Sequence, residues 1–174
     1  MYKNIFLILL VNVITLSFLT GCGYQPSSKA AKKVLGESVS TSVYISMTDP
    51  ENTVVLKDAL DEAVIRRFQT HLRHKSKAKT HLKIELQDVG FSALQYDSNG
   101  YIISYRTTIK LAITRQTKNF SKRYKAIGNY DFTIDPNAII TDQQRFEAIA
   151  NSATKALDSF VAQVAAEGTK RKEE

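Results

Sequence analysis

The alternation of apolar and polar residues along the chain changes period several times, and each change predicts an element. Residues 5–18 form an apolar run broken only by Asn12, Thr15 and Ser17, with Lys3 ahead of it and small residues after it. From position 39 to 47, Val39, Thr41, Val43 and Ile45 alternate with Ser40, Ser42, Tyr44 and Ser46, which predicts a first strand with one buried face. Thr48-Asp49-Pro50-Glu51 then reads as a helix start, with Asp49 as cap, Pro50 at the first helical position and Glu51 at the positive end of the dipole. Leu56, Leu60, Val64, Phe68 and Leu72 recur at every fourth position beside Ala59 and Ala63, so a helix of about six turns is expected to carry one apolar stripe.

Period two returns after a basic stretch at 73–79. Leu82, Ile84 and Leu86 predict a second strand, and the phase passes to Val89 and Phe91, which places a bulge near Gly90. Asp97-Ser98-Asn99-Gly100 is the turn of a hairpin. Tyr101, Ile103, Tyr105, Ile109, Leu111 and Ile113 mark a long third strand, residues 116–121 a second turn, and Tyr124, Ala126, Tyr130, Phe132 and Ile134 a fourth strand. Asp135-Pro136-Asn137 ends that strand. Thr141 and Gln144 then offer a capping box for a second helix, whose stripe is Phe146, Ile149, Ala150, Ala153, Leu157, Phe160 and Val164 and whose expected stop is Gly168. The order β-α-β-β-β-α predicts a two-layer α/β sandwich, a four-stranded mixed sheet with two helices packed on one face, because both stripes find burial only on one apolar sheet face.

The amino-terminal run is shorter than the ~20 apolar residues that a bilayer-spanning helix needs, so residues 1–21 read as a signal peptide rather than a membrane anchor. It ends in Leu19-Thr20-Gly21-Cys22, which resembles the bacterial lipobox, where the cysteine receives a diacylglycerol before cleavage. Cys22 is the only cysteine of the chain, so no disulfide competes for it. Two or three acyl chains anchor a protein firmly where one does so only marginally. Gly23 in place of Asp resembles the pattern of lipoproteins passed on to the outer membrane. Residues 22–38, with Pro26, Gly36 and several lysines, read as a lipid-anchored tether, 39–167 as the folded domain, and 168–174 as a charged tail.

Charge sharpens the choice of partner. The chain carries a net +7, and in the cell envelope the available polyanions are lipopolysaccharide, phospholipid headgroups and wall polymers rather than nucleic acid. Strand alternation puts His81, Lys83 and Glu85, Arg106, Thr108 and Lys110, and Arg123, Lys125 and Asn129 on the sheet face away from the helices, a polar, cationic surface. Lys83, Arg106, Lys110 and Lys125 are therefore the candidate contacts to phosphates or to an acidic partner, and the loop cations Arg73, Lys75, Lys77 and Lys79 extend the same field. His71 and His74 stand three apart amid Arg73, Lys75 and Lys77, which repel a metal ion, so no metal is expected. Asp58, Asp61 and Glu62 lie off the apolar stripe, and the chain has no nucleophile elbow or phosphate loop, so neither a catalytic site nor a cofactor is expected.

Cys22-Gly23-Tyr24 with Gln25-Pro26-Ser27-Ser28, the stretch 48–52 leading into Val55-Leu56-Lys57-Asp58-Ala59-Leu60 and Arg66-Arg67-Phe68, and the element order together resemble the LptE family of lipopolysaccharide-assembly lipoproteins in its ε-proteobacterial form. The resemblance implies an outer-membrane lipoprotein, facing the periplasm, that plugs and helps assemble the LptD β-barrel and binds lipopolysaccharide during its transport to the cell surface. The alternative is an auxiliary lipoprotein of another envelope machine, in lipid transport or peptidoglycan synthesis, which shares the anchor and a small α/β domain.

Overall fold

The computed structural model describes residues 34–45, 50–68, 71–136 and 138–170. Cys22, the tether up to residue 33, Asp49 and the last four residues of the tail lie outside them. The elements run β1 (Val39–Ile45), α1 (Pro50–Phe68), a short 3-10 turn (Lys75–Lys77), β2 (Thr80–Tyr96), β3 (Ile102–Thr117), β4 (Phe120–Thr133) and α2 (Asp142–Lys170). The sheet order is β1-β2-β3-β4, with β1 parallel to β2 and the other pairs antiparallel. This is the expected mixed sheet with both helices on one face, in the order β-α-β-β-β-α.

Local chemistry explains where the elements begin and end. Asp97 closes the β2-β3 hairpin: its Oδ1 accepts from the amides of Asn99 at 2.9 Å and Tyr101 at 2.8 Å, and Gly100 takes φ +86°, a backbone state that costs glycine little. The capping box of α2 is in place. The Gln144 amide donates to Thr141 Oγ1 at 3.2 Å, and the Thr141 amide donates to Gln144 Oε1 at 3.1 Å.

Several boundaries differ from the expectation: the turn read at 116–121 is shorter, since Gln116 pairs with Ser121 and Thr117 with Phe120. The helix stops at Phe68 instead of Leu72, because backbone bonds draw the following segment alongside β1: Val39 N donates to His71 O and Arg73 N to Val39 O, both at 2.8 Å. Leu72 is thus a bridge partner of Val39 and still packs against the core. The bulge in β2 falls between Leu86 and Asp88, three residues before the glycine that suggested it, while Gly90 pairs regularly with Thr108. Finally, α2 runs through Gly168 to Lys170.

The core lies between sheet and helices. Leu82, Ile84, Ile109, Leu111 and Ile113 from the sheet meet Leu60, Ala63 and Val64 of α1 and Ile149, Ala153, Leu157, Phe160 and Val164 of α2. Where α2 crosses β4 the two backbones almost touch: a Cβ on Gly128 would stand 2.0 Å from Ser152 O. A stripe of Ala148, Ser152 and Ala156, all buried, permits this approach, and Ser152 Oγ donates to Thr107 O across the interface at 3.1 Å. No helix among the described residues is long and apolar enough to cross a membrane.

Candidate functional site: the open face of the sheet

The face opposite the helices is built by the strand register. Its rows, read from β2 through β3 to β4, are His81-Gln116-Ser121, Lys83-Thr114-Arg123, Glu85-Ala112-Lys125, Asp88-Lys110-Ile127, Gly90-Thr108-Asn129 and Ser92-Arg106-Asp131. On β1, Ser40, Ser42 and Tyr44 sit beside His81, Lys83 and Glu85. Lys83, Arg106, Lys110 and Lys125, separated by up to 42 positions in sequence, therefore share one surface, as strand alternation predicted.

The charge of that surface is not what its cations alone suggest. Arg106 holds Asp131 through two bonds of 2.7 Å, from Nε and from one terminal nitrogen. Lys110 Nζ lies 2.9 Å from Asp88. Glu85 receives Lys83 at 2.5 Å on one oxygen and Arg123 at 2.7 Å on the other. Hydrogen bonds from Lys83 and from Arg106 hold the Glu85 and Asp131 carboxyls below their ordinary range, and Asp131 in turn raises the Arg106 guanidinium. Thr108 donates to Asn129 at 2.9 Å in the row between. The middle of the face is thus a network of ion pairs, with Arg106–Asp131 and Lys110–Asp88 between neighbouring strands and the partly buried Glu85 shared by Lys83 of its own strand and Arg123 of β4. Lys125 stands apart, with no ion pair among the described residues.

Unpaired positive charge gathers at the β1 end. Arg73, Lys75, Lys77 and Lys79 project from the segment that follows α1, and none of them forms an ion pair among the described residues. His71 and His74, which the sequence places near a helix end, lie instead in this non-helical segment. Between it and the sheet lies a depression of about 380 Å³ lined by Ser40, Thr41, Ser42, Tyr44, Leu72, Arg73, His74, Lys75 and His81. Inside it, Ser40 Oγ is 2.9 Å from His81 Nδ1 and Ser42 Oγ is 3.1 Å from His81 Nε2. Burial, then the charge of Lys75, push the imidazole below its usual range, against a smaller opposing contribution from a hydrogen bond with Ser40. Alternation assigned His81 to the open face and set Ser40 and Ser42 opposite the buried positions of β1. It did not show that the 71–75 segment folds over β1 to make a concavity of them, since that rests on the bridge between Val39 and Leu72.

Among the described residues no group of three or more histidine, cysteine or acidic side chains is placed to hold a metal ion. Asp61 and Glu62 are engaged with Lys57 and Arg66 one turn away on α1, at 2.6 Å in the first pair.

Of three kinds of comparison with known proteins, a family model places the chain. Among solved structures, rare lipoprotein B from Shewanella oneidensis is similar with 15% identity and a TM-score of 0.46, over 78% of this chain and 99% of that one. A minor lipoprotein from Acinetobacter baumannii is similar at 9% identity and a TM-score of 0.42, over 76% and 94%. A lipoprotein B from Nitrosomonas europaea, solved in solution, follows at 14% and 0.36, over 85% and 94%. Comparison with curated protein sequences finds no match. The family model for LptE, lipopolysaccharide-assembly, matches residues 40–164, from β1 into the last turns of α2 and so well over half of the sequence. The chain belongs to the LptE family and has a role in lipopolysaccharide assembly.

Proposed function

We propose that this protein is the lipid-anchored companion of an outer-membrane β-barrel of the LptD type, held to the membrane through Cys22, seated in the barrel lumen, and in contact with lipopolysaccharide as it passes. The observation that carries the reading is the open sheet face. It is broad, it has no helix over it among the described residues, and it is tiled mainly with charges and hydroxyls, with Ile127 and Tyr44 exposed among them. A barrel lumen is polar and water-filled, and a surface of this kind matches it without stranding buried charge.

The four basic residues have defined parts in this proposal. Lys125 offers an ammonium that has no ion pair among the described residues. Lys83, Arg106 and Lys110 already hold carboxylates, so a lipid A phosphate reaches them by exchange with Glu85, Asp131 and Asp88, at little cost because such exposed pairs contribute only ~0–1 kcal/mol. The role is binding and positioning, without catalysis. The deciding experiment is purification of the tagged protein from its own outer membrane in mild detergent. Co-purification of a large β-barrel in near-equal amount, with lipopolysaccharide, is expected; an inner-membrane transporter or a cell-wall synthase in its place would refute the reading.

A further inference from the structure

The depression beside β1 has a donor arrangement that the open face elsewhere lacks. His81 is held at both ring nitrogens by serine hydroxyls, Ser40 at Nδ1 and Ser42 at Nε2. A neutral imidazole has one N–H, so it donates to one serine and accepts from the other, and one of the two hydroxyl hydrogens is consumed inside the triad. When His81 is protonated, both nitrogens donate, and both hydroxyl hydrogens are released to point into the depression. Arg73, His74 and Lys75 line the same space from the facing segment. The triad is thus able to present two hydroxyl donors beside the cations Arg73 and Lys75, which is the donor set of an oxyanion site.

We propose that this depression binds a phosphate-class oxyanion, with the Ser40 and Ser42 hydroxyls as donors, Arg73 and Lys75 as counter-charges, and a proton taken up by His81 on binding. The charges facing His81 are consistent in sign. Lys75 and Arg73 stand on the loop side, with the His74 ring between them in sequence and its Nδ1 accepting from Ser76 N, and Lys83 is the next residue of β2 on the same face. Glu85, the acid of the same strand on this face, is occupied by Lys83 and Arg123, and Tyr44 lies beneath Lys83, whose Nζ is 4.9 Å from the ring centroid. Without an anion the cations disfavour the imidazolium; an anion between them and the ring reverses that balance. The site stands on its own geometry and does not depend on the barrel partner proposed above.

The test uses full-length protein in detergent, labelled with ¹³C-histidine, and follows the His81 Cε1–Hε1 resonance while inorganic phosphate is added, with chloride at matched ionic strength as control. A saturable shift at His81, with a raised pKa for its ring, is expected. Ser40→Ala with Ser42→Ala should weaken phosphate binding by about tenfold or more, the effect of losing hydrogen bonds to a charged group. Arg73→Ser with Lys75→Ser, both on the exposed loop, should weaken it and flatten its salt dependence even if the serine variant folds poorly. Competition then identifies the source. Displacement of phosphate by lipid A but not by dephosphorylated lipid A makes the ligand a lipid phosphate; displacement by neither makes it a free oxyanion. A shift that does not saturate, that chloride reproduces, or that survives both pairs of substitutions overturns the proposal. Failure here leaves the barrel co-purification untouched, and the reverse also holds.

Discussion

Replacing Gly128 by alanine tests how the two layers are held together. An ideal Cβ at this position would stand 2.0 Å from Ser152 O and 2.4 Å from Ala156 N, whereas ordinary contact begins at 3.4 Å. Both neighbours are backbone atoms in the interior of α2, and they are the acceptor and donor of one rung of its hydrogen-bond ladder. No side chain is there to rotate away, so the helix must lift from β4 by more than an ångström or the rung must break. Overpacking of this kind costs about 1–3 kcal/mol and at times more. Lifting α2 also stretches the buried bond from Ser152 Oγ to Thr107 O, worth about 1 kcal/mol. A loss of about 3 kcal/mol is therefore expected, which at a urea m-value of ~2 kcal/mol/M moves the unfolding midpoint down by ~1.5 M. The control is Gly90→Ala, on the open face of β2, where a Cβ meets nothing within 4 Å; it should be neutral or stabilise by up to ~1 kcal/mol through the unfolded chain. Urea unfolding followed by far-UV circular dichroism measures both. Equal midpoints for the two variants would refute the argument that backbone contact, rather than glycine as such, is what position 128 requires.

Further outcomes follow from the charges and the anchor. Cys22→Ala should abolish palmitate labelling, and persistent labelling would overturn the lipobox assignment. Changing Lys83, Arg106, Lys110 and Lys125 together to serine should weaken binding to lipopolysaccharide and flatten its salt dependence with the circular dichroism spectrum unchanged; Lys125→Ser alone should cost more binding than Lys110→Ser, because Lys110 already holds Asp88. Unchanged binding in the fourfold variant would remove the open face from the account. The thermal midpoint should fall as pH is lowered. Glu85 and Asp131, whose carboxyls sit below their ordinary values, contribute stability that is present above the unfolded pKa and is lost as pH falls through the folded one. His81, whose folded pKa is also lowered, contributes in the same sense over a higher window: its share is present above the usual histidine value and is lost as pH falls below it. A midpoint that rises on acidification would contradict both signs.

Much of the fold is legible in the sequence because most elements keep a single strong period. The α2 stripe of Ile149, Ala153, Leu157, Phe160 and Val164 is buried as its spacing requires, and the phase slip in β2 is real even though its bulge lies at 86–88 rather than at Gly90. What spacing does not carry is pairing at a distance. Leu72 continues the four-residue period of α1, so nothing local tells it from a helical position; the backbone of Val39, 33 residues earlier, recruits it. Arg115 is the same lesson within a strand. It occupies a helix-facing position in line with Ile113, yet it is only 4% exposed, because its guanidinium lies over the ring of Phe120 at 4.7 Å and donates to Val34 O at 3.2 Å. An apolar-versus-polar reading passes over it. The close approach at Gly128 is hidden for a similar reason: Ala148, Ser152 and Ala156 are weakly hydrophobic, and only the helix-strand contact gives their small size a purpose.

The candidate site was legible as a surface but not as a distribution of charge. Alternation counts cations on a face; register decides which of them meet an acid. Because Asp88 faces Lys110 and Asp131 faces Arg106 in the same rows, those two rows balance their charge, whereas Glu85, shared by Lys83 and Arg123, leaves one positive charge over, and Lys125 and the loop beside β1 add the rest. That division bears on how an anionic glycolipid would engage the protein. The network of ion pairs presents charges that open and re-form at small cost, which suits a surface along which a ligand moves. The loop end concentrates unpaired cations around a concavity, which suits a point where a phosphate is held. The charged side chains of both regions lie outside the hydrophobic core, which Leu72 alone of the residues lining the depression packs against. Substitutions of the open-face cations therefore bear mainly on binding and cost stability only through their ion pairs, whereas Gly128→Ala strikes the packing of the fold, and comparing the two sets against the same ligand distinguishes loss of a contact from loss of the fold.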